Sequence, residues 1–221
     1  MPDRQIFIRR ATSADTQYLN HICLLTGDAG KSAEEKYTLK QLPGLLWADP
    51  YVNCPSATGF VLVDHRTGEE DEKVVGYILV AFDTVSFERE LEEDWFPQWR
   101  VTYPNPYVPP DADSPSPTES DLRVLGWIHK PYKANAAELA FSPAHMHIDI
   151  LPEYQGQGWG KKMVGKLVEF LREEKGLKAV WLGLDLRNEN AKRFYGHLGF
   201  KAIQGAAEHM MGLNFSDWKD I

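Results

Sequence analysis

Cysteine is scarce in this chain: Cys23 and Cys54 are the only two among 221 residues. Two are too few for a disulfide framework, and no C-x-x-C or H-E-x-x-H spacing offers ligands to a metal. Both thiols are expected to be reduced and buried. No apolar run approaches the length of a membrane span, and the opening MPDRQIFIRR enters a strand-like IFI without the apolar region of a signal peptide. A cytoplasmic protein is therefore expected, with the nucleus a second possible compartment. Positive charge is also short, since 24 Lys and Arg face 32 Asp and Glu, a formal net charge of −8. Nucleic acid, which needs a basic face, is an improbable partner for such a body, whereas a cationic amine is a favourable one. Internal repeats are absent, and the length suits one domain, residues 1–221, as a monomer or homodimer.

What the chain does contain is concentrated between His145 and Lys162, HMHIDILPEYQGQGWGKK. His145, His147 and Asp149 alternate with Met146, Ile148 and Ile150, which predicts a strand with one polar face. Pro152 stops it. Gln155-Gly156-Gln157-Gly158-Trp159-Gly160 follows, and Met163, Val164, Leu167, Val168, Phe170 and Leu171 then recur at helical spacing up to Gly176. A glycine turn entering a helix presents bare N–H groups at the positive end of the helix dipole, suited to phosphate or pyrophosphate. Lys161, Lys162 and Lys166 add local positive charge. The spacing is neither that of the dinucleotide G-x-G-x-x-G nor that of the nucleoside-triphosphate loop ending in G-K-[ST].

Elsewhere the patterns predict a mixed sheet with helices on both sides, an α/β (α+β) architecture. Gln5–Arg10 reads as a strand, and Thr12 or Ser13 caps a helix through about Leu25. Residues 31–50 read as two short helical pieces divided by Pro43 and Gly44. Ala57–Val63 and Val74–Phe82 are strands joined by the polar loop HRTGEEDEK. Val85–Phe96 is expected to be an acidic helix closed by Pro97, its charges solvated and Trp95, Phe96 and Trp99 packing inward. Residues 104–121, rich in Pro, Ser and Asp, read as an inserted loop followed by a short apolar stretch, Leu122–Ile128. A turn of helix is expected within Lys133–Phe141. Ala179–Leu186 is a buried strand, a helix starts at Asn188, and Phe200–Ile203 and Met210–Phe215 close the sheet.

The spacing Q/R-x-x-G-x-G/A, with Gln155, Gly158 and Gly160 in its fixed places, resembles the acetyl-coenzyme A loop of the GCN5-related N-acetyltransferase (GNAT) superfamily. Asn188-x-x-Ala191-x-x-Phe194-Tyr195-x-x-x-Gly199-Phe200 is similar to the helix after the fifth strand of that fold. Together the two motifs imply a GNAT fold with a splayed strand pair over nearly the whole chain, the insertion excepted. LPGLLWADPYV, FERELEEDWFPQWRVTYP and HIDILPEYQGQGWG further resemble bacterial and fungal acetyltransferases related to the C-terminal region of O-GlcNAcase.

The resemblance implies acetyl-CoA as co-substrate and an amine as acceptor. Gln155, Gly156, Gln157, Gly158, Trp159, Gly160 and Lys161 would hold the pyrophosphate, and Asp149, Ile150 and Leu151 the pantetheine arm. The Asp149 amide would donate to the thioester carbonyl, and Asn188 and Phe194 would line the arm. Tyr195 is the candidate acid. His145 and His147 resemble the strand histidines of serotonin N-acetyltransferase and, with Asp149, are candidates for the base, His147 first. Acyl-CoA binding or sensing without efficient turnover is the alternative.

Overall fold

The computed structural model describes residues 4–66, 72–109, 111 and 114–218. A seven-stranded sheet runs in the order β1-β2-β3-β4-β5-β7-β6. Its strands are β1 (Arg4–Arg10), β2 (Ala57–Arg66), β3 (Lys73–Ala81), β4 (His145–Ile150), β5 (Ala179–Gly183), β6 (Lys201–Ala202) and β7 (Met210–Asn214). Every neighbouring pair is antiparallel except β4 and β5. Long β-branched runs in β2 and β3 are buried on both faces, as central strands require.

Helices cover both faces, and strand alternation shows which lies where. Cys23 of α1 (Thr16–Thr26) interacts with Tyr77 and Asp149, so α1 packs on the face bearing the odd residues of β4. Gly160 of α7 (Trp159–Glu173) lies over Ile150, placing α7 on the opposite face. The apolar stripe of α7, from Met163 to Leu171, is buried there, as its spacing predicts. Thr12 precedes a short 3₁₀ turn, Ser13–Asp15, and forms a capping box with Asp15 before α1 begins.

Three segments depart from expectation. Pro43 and Gly44 do not divide a helix; they lie within the first turn of α2 (Leu42–Trp47), where a missing N–H costs nothing. Likewise Pro97 closes nothing: α3 (Thr84–Glu90) runs through a π-helical turn, Leu91–Trp95, into α4 (Phe96–Thr102), with Pro97 again in a first turn. The aromatic residues of this segment do pack inward. Phe96 is fully buried and Trp95 Nε1 donates to the Leu45 carbonyl at 2.9 Å.

The third departure is α5 (Glu119–His129), which absorbs the end of the expected loop and the apolar stretch after it. Thr118 and Asp121 form a capping box, and the Asp121 carboxylate also accepts from the Thr38 and Leu39 amides at 3.0 and 3.1 Å. A second apolar cluster, including Leu42, Leu45, Phe96, Val124 and Ile128, joins α2, α4 and α5. Short α6 (Ala136–Phe141) precedes β4, and α8 (Glu189–Leu198) ends at Gly199 in the left-handed region. The tip of the β2–β3 loop, residues 67–71, lies outside the described residues.

Candidate functional site

The two parallel strands meet at a single register point, His145 with Trp181. Trp181 N–H donates to the Ala144 carbonyl at 3.0 Å, while on its other side β5 stays in register with β7 as far as Leu184, which donates to the His209 carbonyl at 3.0 Å. The pair therefore splays. Leu151 N–H donates to Val75 at 3.0 Å on the β3 side. In an antiparallel ladder alternate residues share that direction, so Asp149 and His147 also turn their amides toward β3. The bare N–H groups on the open edge belong to Ile148 and Ile150, which corrects the expectation that the Asp149 amide is available there. Gln155 Nε2 confirms the polarity of the edge by donating to the Ile150 carbonyl at 2.7 Å.

Past that edge the glycine turn is open. Gly156 and Gly158 adopt φ of 71° and 82°, a left-handed backbone that a residue with Cβ enters at a cost, and space lies free above both. Gly158 is the N-cap of α7 and supplies no side-chain acceptor. The first-turn amides of Trp159, Gly160 and Lys161 thus have no partner within the helix. Gly160 is glycine for a different reason. A Cβ there would lie 2.9 Å from the ring of Phe194. Phe194 thus packs against the start of α7. Lys162 Nζ lies 4.1 Å from the centroid of the Trp159 ring.

A cleft of about 620 Å³ opens where the strands part, with His147, Ile148, Asp149 and Tyr195 among its walls. Tyr195 is 8% exposed and, among the described residues, makes no side-chain hydrogen bond. Burial, reinforced by the charge of Asp149, pushes its pKa up, so the phenol keeps its proton across the neutral range. Asn188 reaches the cleft wall too, while its Oδ1 caps α8 by accepting from the Ala191 amide at 3.0 Å.

The three polar residues of β4 differ sharply. His145 sits behind the cleft with both ring nitrogens engaged, Nε2 with the Tyr51 hydroxyl and Nδ1 with Thr84 Oγ1, each at 2.8 Å. Thr84 gives its one hydroxyl hydrogen to the Pro143 carbonyl at 2.7 Å, so His145 must donate from Nδ1 and accept from Tyr51 at Nε2. Its lone pair is spent. Burial, with a smaller contribution from His147, pulls its pKa down to about 3. His147 makes edge contact with Tyr51 and, among the described residues, no side-chain hydrogen bond; burial pulls its pKa down to about 4. Asp149 Oδ2 accepts from the Tyr77 hydroxyl at 2.6 Å, and burial pushes its pKa up to about 6 against that bond. Cys23 beside them is buried, and that burial pushes its thiol up.

The cleft is also lined by Tyr37, Trp47, Arg123 and Trp127. Trp47 and Trp127 meet edge to face, centroids 5.6 Å apart at 68°. At the rim, Asp28 pairs with Lys36 at 2.6 Å and Arg187 at 3.1 Å, and Arg187 also pairs with Asp185 at 2.6 Å. None of these residues is singled out by sequence spacing. They come from four separated segments, and only the i, i+4 placement of Arg123 and Trp127 on α5 leaves a local signal.

The sequence profile of the acetyltransferase (GNAT) family matches residues 32–200. The crystal structure of SsHAT is similar over 95% of this chain and 98% of that one, with 31% identity and a TM-score of 0.78. Aminoglycoside acetyltransferase AAC(6')-Ib, solved in complex with coenzyme A, covers 96% of each chain at 15% identity and a TM-score of 0.50, a likeness of fold alone. A [ribosomal protein bS18]-alanine N-acetyltransferase from Haemophilus influenzae is 45% identical over 58 residues, which span 26% of this chain and 38% of that protein. With its splayed strands, open glycine turn and family profile in agreement, the chain belongs to the acetyltransferase (GNAT) family.

Proposed function

We propose that the protein is an acetyl-CoA-dependent N-acetyltransferase that moves an acetyl group directly to a primary amine. The observation that carries this reading is the continuity of bare donors, from Ile148 and Ile150 on the open edge of β4 to the first-turn amides of α7. A coenzyme with a pyrophosphate and an amide-bearing arm fits that run. Acetyl-CoA would supply the activated acetyl group as a thioester. Gln155 to Lys161 would hold its pyrophosphate, and the amides of Ile148 and Ile150 would pair with its arm and polarise the carbonyl. Leu151 turns its amide toward β3 and would contribute only its buried side chain beneath the arm.

His147 is the proposed base. It faces the cleft with its ring nitrogens uncommitted, so a lone pair is free for the amine proton, and its low pKa leaves it unprotonated at neutral pH while weakening it as a base. Asp149 would place the ammonium before that transfer. Tyr195 would return a proton to the departing thiolate, for which a phenol held protonated by burial is suited. His145 serves the fold in this reading and takes no proton. The likeness to relatives of the O-GlcNAcase C-terminal region is retained as the proposed subfamily, and the molecule is proposed to act as one domain.

The test has two stages. Acetyl-CoA at 100 times its dissociation constant should stabilise the fold by about 2.7 kcal/mol. Thiol release across amines, amino sugars and peptides then measures turnover. Absence of stabilisation overturns the proposal, and stabilisation without thiol release would make the protein an acyl-CoA sensor instead.

A further inference from the structure

The cleft carries a charge asymmetry that general amine chemistry leaves unexplained. Two arginines line the cleft, Arg123 and Arg187. Arg187 is neutralised by Asp185 and Asp28. Arg123 has no carboxylate within ion-pair distance among the described residues, and its Nη2 donates to the Ser120 hydroxyl at 3.2 Å. An arginine without a counter-ion is ordinary on an open surface. This one is exposed as well, but it also lines the cleft, interacts with the Tyr37 hydroxyl, and shares a helix face with Trp127, which meets Trp47 edge to face. The same cleft presents a neutral imidazole and a half-buried carboxyl, His147 and Asp149.

We infer that the acceptor is an amine carrying a carboxylate at its far end, the carboxylate gripped by Arg123 and the apolar body between the two groups resting on Trp47 and Trp127. The inference rests on the transferase reading for the orientation of the amine. A guanidinium presents a planar fork that matches a carboxylate through two parallel bonds. One such fork, with Arg187 already neutralised, suits a monoanion better than a phosphate, which calls for further cations. The indole pair supplies flat apolar area at low entropic cost. An acidic protein then takes an anionic group locally, because the charge that matters at contact range is the unpaired one and the distant field is screened by salt.

Matched amines test this directly. Thiol release is measured for 6-aminohexanoate against hexylamine and for 4-aminobutyrate against butylamine. Lysine peptides differing by glutamate or glutamine beside the lysine form a further pair, which separates a peptide source from a free amino acid. The native protein should favour the carboxylated member of at least one pair by about tenfold or more in kcat/KM, a tenfold change being about 1.4 kcal/mol. Arg123→Gln should bring that ratio to within about twofold of unity, Arg123→Lys should keep part of it, and Arg123→Glu should turn it toward diamines.

Calorimetry of 6-aminohexanoate and of the glutamate peptide in the presence of coenzyme A gives a readout that needs no turnover. Binding that depends on Arg123 without thiol release keeps the carboxylate site and sinks the transferase reading. Turnover with equal rates inside every pair, or a ratio that Arg123→Gln leaves in place, overturns the carboxylate site and leaves the transferase reading standing. Neither binding nor turnover of any carboxylated amine overturns it as well.

Discussion

His145 and His147 sit two residues apart on one face of one strand, yet they live in different chemistry. The first is clamped where β4 still touches β5; the second stands where the strands have parted. Burial depresses both, so neither composition nor pKa separates them. Hydrogen-bond stoichiometry does. One imidazole has one proton and one lone pair, and Thr84 and Tyr51 consume both at His145. The lesson is that a polar strand face in a splayed sheet divides into a clamped half and a half open to the cleft at the last register point.

The sharpest way to break that division is to exchange the roles. His147→Ala should lower kcat by about 10²–10⁴ with little change in Tm, as removal of a general base does. An unchanged kcat would put the base elsewhere. Tyr195→Phe tests the other proton and should lower kcat by about 10² at unchanged acetyl-CoA affinity, again within the range for general acid–base groups. Gly160→Val should weaken acetyl-CoA binding by about tenfold, because its side chain drives into the Phe194 ring that sits 2.9 Å from the Cβ position. Calorimetric titration with acetyl-CoA reads that loss, and native affinity would mean that the start of α7 is not part of the coenzyme site.

The clamped half should answer in stability. His145→Ala leaves the buried Tyr51 hydroxyl without its acceptor and removes the imidazole N–H from Thr84 Oγ1, which keeps its bond to the Pro143 carbonyl, and should cost about 1–3 kcal/mol in denaturant titration. Its pH signature has a definite sign. The folded pKa of about 3 lies below the unfolded value of 6.5, so the stabilising contribution is whole above 6.5 and is lost as pH falls toward 3. A stability profile whose acid slope persists unchanged in His145→Ala would contradict the clamp.

The smallest effect is the most diagnostic for the base. With His147 near 4 and Asp149 near 6, kcat should hold from neutral pH to about 5 if His147 acts. A limb at about 6 that disappears in Asp149→Asn would transfer the role to Asp149.

Much of this arrangement was legible in the residues, and the misses have physical causes. Period-2 and 3.6 patterns recovered the β-strands and the stripe of α7 because burial there is one-sided or complete. Prolines misled twice, at Pro43 and Pro97, since a first-turn proline and an interior one look alike until the helix start is known. The π-helical turn, Leu91–Trp95, leaves no period to read. The start of α5 did leave one: Thr118 and Asp121 at capping spacing, followed by Val124, Leu125 and Ile128. At the site, the glycine turn and Tyr195 announce themselves by local spacing. The Asp149 amide was misjudged because strand parity depends on which neighbour provides the register. Arg123, Trp47 and Trp127 converge only through tertiary packing, which spacing does not encode.

The buried Asp121 carboxylate has a consequence for how the cleft can be changed. Because it receives amides from the segment before α2 and from the start of its own helix, the wall bearing Arg123 and the wall bearing Trp47 are stitched at a point outside the cleft. Under the proposed reading, the side chains that would choose the acceptor can therefore be exchanged while the seam that sets their spacing stays fixed.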